Sequence, residues 1–439
     1  MSAQRLRSRA PRRGPSTARD RRARSQATAL FLVAAGAVLG WGLPMWEKHL
    51  PAAGLRFDAS TAQATLAAIA GSMITLAGFV VTAITLVVQT ILNMSPRLVG
   101  ALGHFPRYLI VFGLLVGTAV YALVGLSHVT GDEVPRLSVT LAIVLVVFDA
   151  IAVLYLLASL RHAVTGGGLS RSVGGELRTV IDRMFPPHEA SPVITAPSGP
   201  RPGTRVPVVH RGPPGVVSAL AERRLVRLAA RHDLRIQVVC SVGDFVRSGT
   251  AVAFLLTTGP FPRRLPGRIA SCIHYAPSRT VEHDAAYGLR LLADIAVRGL
   301  SPAMNDPTTA VQALDQIEDV LLRLSDRPVG PAWLVDGEGE ARVSYPAPQW
   351  PDFVAVALDE TLAYGASNLQ TVRRLRALLD GLVDAAPADR KAAVVERRQA
   401  LGRLAETALA DPFLREAASH PDPQGLGGPN PRGTPSGND

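Results

Sequence analysis

Residues 59–96 read ASTAQATLAAIAGSMITLAGFVVTAITLVVQTILNMSP, a run of 38 residues with no Asp, Glu, Lys or Arg. A spanning helix needs only about 20 apolar residues. At about 1.5 Å per residue this run extends well past a bilayer core about 30 Å thick. It therefore predicts a membrane helix with one end projecting beyond the bilayer. Three further stretches flank it: 25–46, 108–131 and 137–160, the last broken only by Asp149. The spans are placed at about 27–46, 64–92, 108–128 and 137–160. A cleaved signal peptide is the rival reading of the first, but Pro44, Met45 and Trp46 follow Leu43, where a cleavage site would carry small residues.

Composition agrees. Of 439 residues, 48% are hydrophobic and 18% charged, and mean hydropathy is +0.21. That excludes an intrinsically disordered chain and a wholly soluble one. The net charge of +11 is local: residues 1–25 carry nine Arg and one acid, which leaves +3 for the rest. A basic arm before an apolar run is a topology determinant and a contact for anionic lipid heads, not a nucleic-acid face. Lys and Arg counts in the short loops put both termini in the cytoplasm of a bacterial inner membrane. The two cysteines, Cys240 and Cys272, form no metal or disulfide framework and read as buried thiols.

The fold expected is a mainly α membrane protein: four transmembrane helices, then a cytosolic α+β domain with a small β unit and long amphipathic helices. The domains are a basic cytosolic arm 1–25, a membrane domain 26–160, a helix and Pro/Gly-rich linker 161–215, the cytosolic domain 216–410 and a disordered tail 411–439. Within these, helices are expected at 172–185, 216–233, 284–300, 352–383 and 388–410. Period-two alternation marks a strand over 234–240, and a hairpin joins 332–335 to 341–345.

Two groups of residues are candidates for function. In the membrane, Ser72, Thr75, Thr82, Thr85 and Gln89 share one helical face, and Asp149 sits mid-span. The polar face reads either as an interhelical seam or as a hydrated path. Asp149 is either a buried structural acid or part of a proton or cation route. In the third span, Gly113, Gly117, Tyr121 and Gly125 form a close-packing stripe, within the chain or between protomers.

Outside the membrane, the stretch from Arg279 to Asp315 is distinctive. Asp294 and Arg298 are spaced to pair, Pro302 ends one helix, and Asp306 with Pro307 starts the next. The turn gathers Ser301, Asn305, Asp306, Thr308 and Thr309 near a helix start, where anions are favoured, while Asp284 and Asp294 would serve a cation. A plain helix–turn–helix with ordinary caps explains the same residues. No nucleotide, hydrolase or metalloprotease motif occurs.

Gly243-Asp-Phe-Val-Arg-Ser-Gly249 is similar to a turn of biotinyl- and lipoyl-type barrels, which implies a small β unit. A carrier role would need a nearby Lys, and the chain's two, Lys48 and Lys391, are remote. Four segments together resemble the bacterial predicted-membrane-protein family called domain of unknown function 2254: Asn93–Leu98, Ala119–Leu123, Cys240–Gly249 and Arg279–Asp315. Departures are Tyr287 for Phe, Gly299 for Ala, Ala303-Met304 for Gly-Ile, and Glu360-Thr361-Leu362 where relatives often show Gln-Ile-Arg. The resemblance implies four spans and a cytosolic domain and brings no activity with it. The functions weighed are a channel or transporter with a gating domain, a non-conducting scaffold or sensor and, third, an enzyme. The partners expected are the lipid bilayer, further copies of the chain and an unnamed ion or small ligand, without nucleic acid. No cofactor and no metal are expected.

Overall fold

A computed structural model describes residues 18–47, 49, 54–94, 105–130, 134–164, 167–186, 193–194 and 203–428. Most of the basic arm, the Ser95-Pro96-Arg97 element, most of the 186–202 linker and residues 429–439 lie outside the described residues. Contacts divide the chain into two units.

The first unit holds α1 (Ala18–Glu47), α2 (Ala59–Met94), α3 (Phe105–Leu126) and α4 (Arg136–Val164). Each contains a stretch long and apolar enough to cross a membrane: Arg24–Glu47, Ala59–Gln89, Tyr108–Leu126 and Arg136–Ser159. With 36 residues, α2 runs about 54 Å. Asp58 caps its start, accepting from the Thr61 N–H at 3.1 Å and from the Ser60 hydroxyl. Those bonds hold its carboxyl well below the usual carboxylate range.

The glycine stripe of α3 packs within the chain, against α1. A Cβ at Gly113 would lie 2.7 Å from the Ala29 Cα, and one at Gly117 2.8 Å from the Leu32 carbonyl oxygen. From the other side, Gly36 meets the Gly117 carbonyl and Gly40 the Tyr121 carbonyl. Small residues let two backbones touch, the usual route to helix association in lipid. The C-terminus of α1 also closes on α4. The Glu47 carboxylate accepts from the Leu137 N–H at 2.5 Å, the Ser138 N–H at 3.1 Å and the Ser138 hydroxyl at 3.0 Å. It thereby satisfies free donors at the start of α4.

The second unit begins with α5 (Gly168–Met184). A six-stranded sheet follows, built from β1 (Val193–Ile194), β2 (Thr204–Val209), β4 (Arg235–Val238), β6 (Ala251–Thr257), β8 (Ala332–Val335) and β9 (Ala341–Tyr345). Its order is β1-β8-β9-β4-β6-β2, antiparallel throughout except for the parallel pair β4–β9. A three-stranded sheet, β5-β3-β7, uses Phe245–Val246, Gly215–Leu220 and Ile273–Ala276. Ile236, Val252 and Leu255 from the large sheet share one core with Leu225 and Leu228 of α6 (Glu222–Arg231) and Ile269 of α7 (Leu265–Ala270).

The rest is helical. A 3-10 turn, Val281–His283, leads into α8 (Ala285–Gly299) and α9 (Pro307–Ser325). Helices α10 (Trp350–Gly365), α11 (Leu369–Ala385), α12 (Ala388–Ala408) and α13 (Pro412–Ser419) follow the hairpin. Helix α8 packs on α5, α9 and α10, and α11 on α9 and α12.

Several boundaries differ from the sequence reading, each for a local reason. Residues 204–209, read as linker, pair in register with β6. Residues 216–220, read as the first turns of a helix, form β3, where Val216 and Val217 suit a strand; the helix starts only at Glu222. The helix expected over 352–383 is two. Asn368 ends the continuity by capping α11, its side-chain oxygen accepting from the Thr371 N–H and hydroxyl, both at 3.0 Å.

The segment from 411, read as a disordered tail, is ordered through 428. Arg373 of α11 donates to the carbonyls of His420 (3.1 Å) and Gly427 (2.9 Å). Asp422 is buried and accepts from the N–H groups of Gln424, Gly425 and Gly427.

Candidate functional site

The intramembrane candidates lie in two different environments. Helix α2 buries Ala62, Leu66, Ile69, Met73, Ala77 and Val80, which recur every three or four residues along one side. The opposite side carries Ala64, Ala68, Gly71, Thr75, Gly78, Thr82, Thr85 and Gln89, all exposed. Their steps of four and three make a straight seam of the kind that two helices share. Ser72 is exposed on its flank. Among the described residues nothing lies within 4 Å of a Cβ placed at Gly71 or Gly78. The hydroxyls turn inward on their own helix: Ser72 donates to the Ala68 carbonyl, Thr75 to Gly71, Thr82 to Gly78 and Thr85 to Val81, at 2.5–3.0 Å.

The exposed side of α4 is of another kind, with Val144, Val147, Phe148, Ile151, Leu154 and Tyr155. Bulky apolar side chains suit lipid tails; a seam of Ala, Gly and Thr suits another helix or water.

Asp149 does not join the seam. It is 0% exposed, and among the described residues neither carboxylate oxygen has a hydrogen-bond partner. The Thr118 hydroxyl of α3 lies beside it, outside hydrogen-bond geometry. A charge held at mid-membrane costs about 2.5–3.5 kcal/mol on insertion scales, and an unsatisfied buried group adds to that. Glycine spacing in α1 (Gly36, Gly40) was the available signal for the helix pairing; Thr118 gave none.

In the second unit the two family-like segments meet at one point. Gly243, at φ +96°, lets the turn 243–249 press onto the start of α8. A Cβ there would lie 2.8 Å from Asp284 Oδ2 and 3.3 Å from the Arg279 guanidinium carbon. Asp284 caps α8, its Oδ1 accepting from the Tyr287 N–H at 2.9 Å. Its Oδ2 is buried and has no partner among the described residues. Burial pushes the carboxyl above its usual range, against the pull of the Tyr287 N–H and Arg279. The neighbouring His283 is pushed down, first by burial and then by Arg183. Arg279 is exposed at the rim, and Asp244 braces the turn by accepting from the Ser241 N–H at 2.7 Å. The arrangement offers a buried proton-binding carboxyl beside a fixed positive charge.

The remaining candidates form no common site with it. Asp294 pairs with Arg290, at 2.6 Å, and Arg298 is exposed. Arg290 also takes Glu360 of α10 in a two-pronged grip, at 2.5 and 2.7 Å. Glu360 thus has a defined partner at the position where the sequence departs from its relatives. Asp306 caps α9 through the Thr309 N–H and hydroxyl, at 3.1 and 2.5 Å. Ser301 donates to the Arg298 carbonyl at 2.7 Å, and Asn305 takes a left-handed φ of +45°. Thr308 is exposed. Asp315 pairs with the buried Arg374 of α11 at 2.9 Å, and Glu318 holds the same guanidinium. Among the described residues no three His, Cys, Asp or Glu side chains are grouped to hold a metal. Cys240 and Cys272 are buried free thiols, Cys240 pushed up to about 11 by burial.

The model of the family described as "Predicted membrane protein (DUF2254)" matches residues 23–381, which takes in all four spans and the unit from α5 to most of α11. The chain belongs to this family. Two mycobacterial proteins are similar to it: "Uncharacterized protein Rv1290c" of Mycobacterium tuberculosis and "Uncharacterized protein Mb1321c" of Mycobacterium bovis. Each is 26% identical over 364 residues, covering 80% of this chain and 69% of the relative. No solved structure matches the chain. This DUF2254 protein is thus a membrane protein with four apolar helices and an α+β unit, in a family without an assigned activity.

Proposed function

We propose that this DUF2254 protein is a multi-pass protein of the bacterial inner membrane that works as an oligomer with a channel- or transporter-like function. Both termini and the α+β unit lie in the cytoplasm, where that unit gates or senses. The excess of Arg in the N-terminal arm and in the loops on its side supports the orientation.

One observation carries the reading: a seam of Ala, Gly, Thr and Gln runs along the side of α2 turned away from its own chain over 64–89, bordered by exposed Ile74, Phe79 and Leu86, while the outer side of α4 shows no such seam and is bulky and apolar. Copies arranged with these seams inward would surround a path edged by Thr75, Thr82, Thr85 and Gln89. Asp149, enclosed and unpartnered, supplies a titratable group in the same bundle.

A non-conducting scaffold or sensor is the second reading. It is favoured by the bonds from the Ser and Thr hydroxyls to their own helix, since a seam satisfied in this way needs no water and packs dry. Ion flux from liposomes containing the purified protein separates the two. Conduction predicts flux that is lost in Thr82→Leu and in Asp149→Asn. Background flux across ions, pH and voltage would transfer the seam to pure assembly and overturn conduction.

A further inference from the structure

Several arginines of the α+β unit are held by acidic side chains. Arg290 meets Asp294 and Glu360, Arg342 meets Asp233 and Asp336, Arg374 meets Asp315 and Glu318, and Arg397 meets Asp359. Helices α6 and α7 gather six others close together in the fold. Arg223, Arg224, Arg227 and Arg231 of α6, with Arg264 and Arg268 at α7, are all exposed. Among the described residues none of the six forms an ion pair with an acidic side chain.

The two helices share a base. Leu225 and Leu228 of α6 and Leu265 and Ile269 of α7 enter one core. The Ala221 N–H, just before α6, donates to the Cys272 carbonyl, just after α7, at 2.8 Å. Arg224 and Arg268 flank the Cys272 thiol from the two sides of that junction. The six arginines therefore stand on two neighbouring helices fixed to one folded base, with Arg224 and Arg268 meeting at their junction.

We propose that this pair of helices docks on the phosphates of anionic phospholipids. The guanidinium fork suits phosphate oxygens. The covalent link supplies the proximity: only residues 165–167 separate the membrane helix α4 from α5 of the α+β unit, a reach of about 10 Å when extended. A tether that short keeps a lipid surface at high effective concentration for the attached unit, and anionic leaflets attract basic helices. The inference rests on membrane placement alone and is independent of conduction.

The test uses the full-length protein carrying Ser271→Cys beside α7, labelled with an environment-sensitive fluorophore. It is placed in nanodiscs of phosphatidylcholine, with or without phosphatidylglycerol, and the lipids carry a shallow quencher. Docking predicts strong quenching only with phosphatidylglycerol, and its reversal near 1 M salt, where the screening length falls to about 3 Å. Quenching is lost in the triple variant Arg224→Glu, Arg227→Glu, Arg268→Glu and kept in the matching Lys triple, with unchanged melting of both. Equal quenching in the two bilayers, or a glutamate triple that behaves like the parent, would overturn it. So would a label that ignores lipid charge but responds to short RNA.

Discussion

Gly117 rests on Leu32 with no room for a side chain: a Cβ there would stand 2.8 Å from the Leu32 carbonyl oxygen. Gly36 faces the Gly117 carbonyl from the other helix at still closer range. The contact welds α1 to α3 inside one chain. The exposed glycines of α2, Gly71 and Gly78, meet no such neighbour among the described residues. Gly117→Val or Gly36→Val should cost about 1–3 kcal/mol through overpacking, read as a lower melting temperature in detergent. Gly71→Val should leave the melting of the single chain unchanged and weaken its association.

The Asp284 carboxyl gives a pH signature. Its folded pKa is raised, so between about pH 4 and that value the folded chain holds a proton that the unfolded chain has lost. Its contribution to stability is complete at acid pH and falls as pH rises through the folded value. His283, shifted downward, acts in the opposite sense, its contribution rising as pH climbs toward about 6.5. Comparison with Asp284→Asn isolates the first effect, because Asn keeps the helix cap. The variant should gain stability relative to the parent as pH rises, measured by melting at a series of pH values. Parallel curves would contradict the assignment.

At the α8–α9 turn, the +45° φ of Asn305 is a backbone demand. Asn305→Gly should be near neutral, and Asn305→Ala should cost about 1 kcal/mol. Melting of the two variants checks this.

The C-terminal segment is pinned by Arg373 and Asp422. Asp422→Ala removes the acceptor for three backbone N–H groups, and Arg373→Ala frees two carbonyls. Either variant should make residues 420–428 sensitive to limited proteolysis while the cleavage pattern of α8 and α9 is unchanged.

What the sequence revealed followed the range of the interactions. The spans were legible because an uncharged run needs no partner to declare itself. The α8–α9 turn was legible because Asp306, Pro307 and Pro302 act on their immediate neighbours. The break between α10 and α11 was hidden because Asn368 interrupts two amphipathic patterns that happen to run in phase. The ordered tail was hidden because its arginine and its carbonyls lie some 50 residues apart. The same distance rule governs the candidate sites. Arg290 joins Asp294 to Glu360, a partner that arrives from another helix. Asp284 meets Gly243 only through the fold of the β unit. The hydroxylated side of α2 was visible as a pattern; that it stands opposite the buried side, unpartnered, required the packing.

The α2 seam tests the account most directly. Single cysteines at Thr75 and Thr82, with Phe148→Cys on the bulky side of α4 as control, should be exposed to a short cross-linker in native membranes. The native thiols are buried and do not compete. Covalent dimers at 75 and 82, and none at 148, are the result expected of copies joined along α2. Dimers at 148 alone, or none at 75 and 82 with the labelled cysteines freely accessible, would place the seam against lipid or water and contradict the assembly.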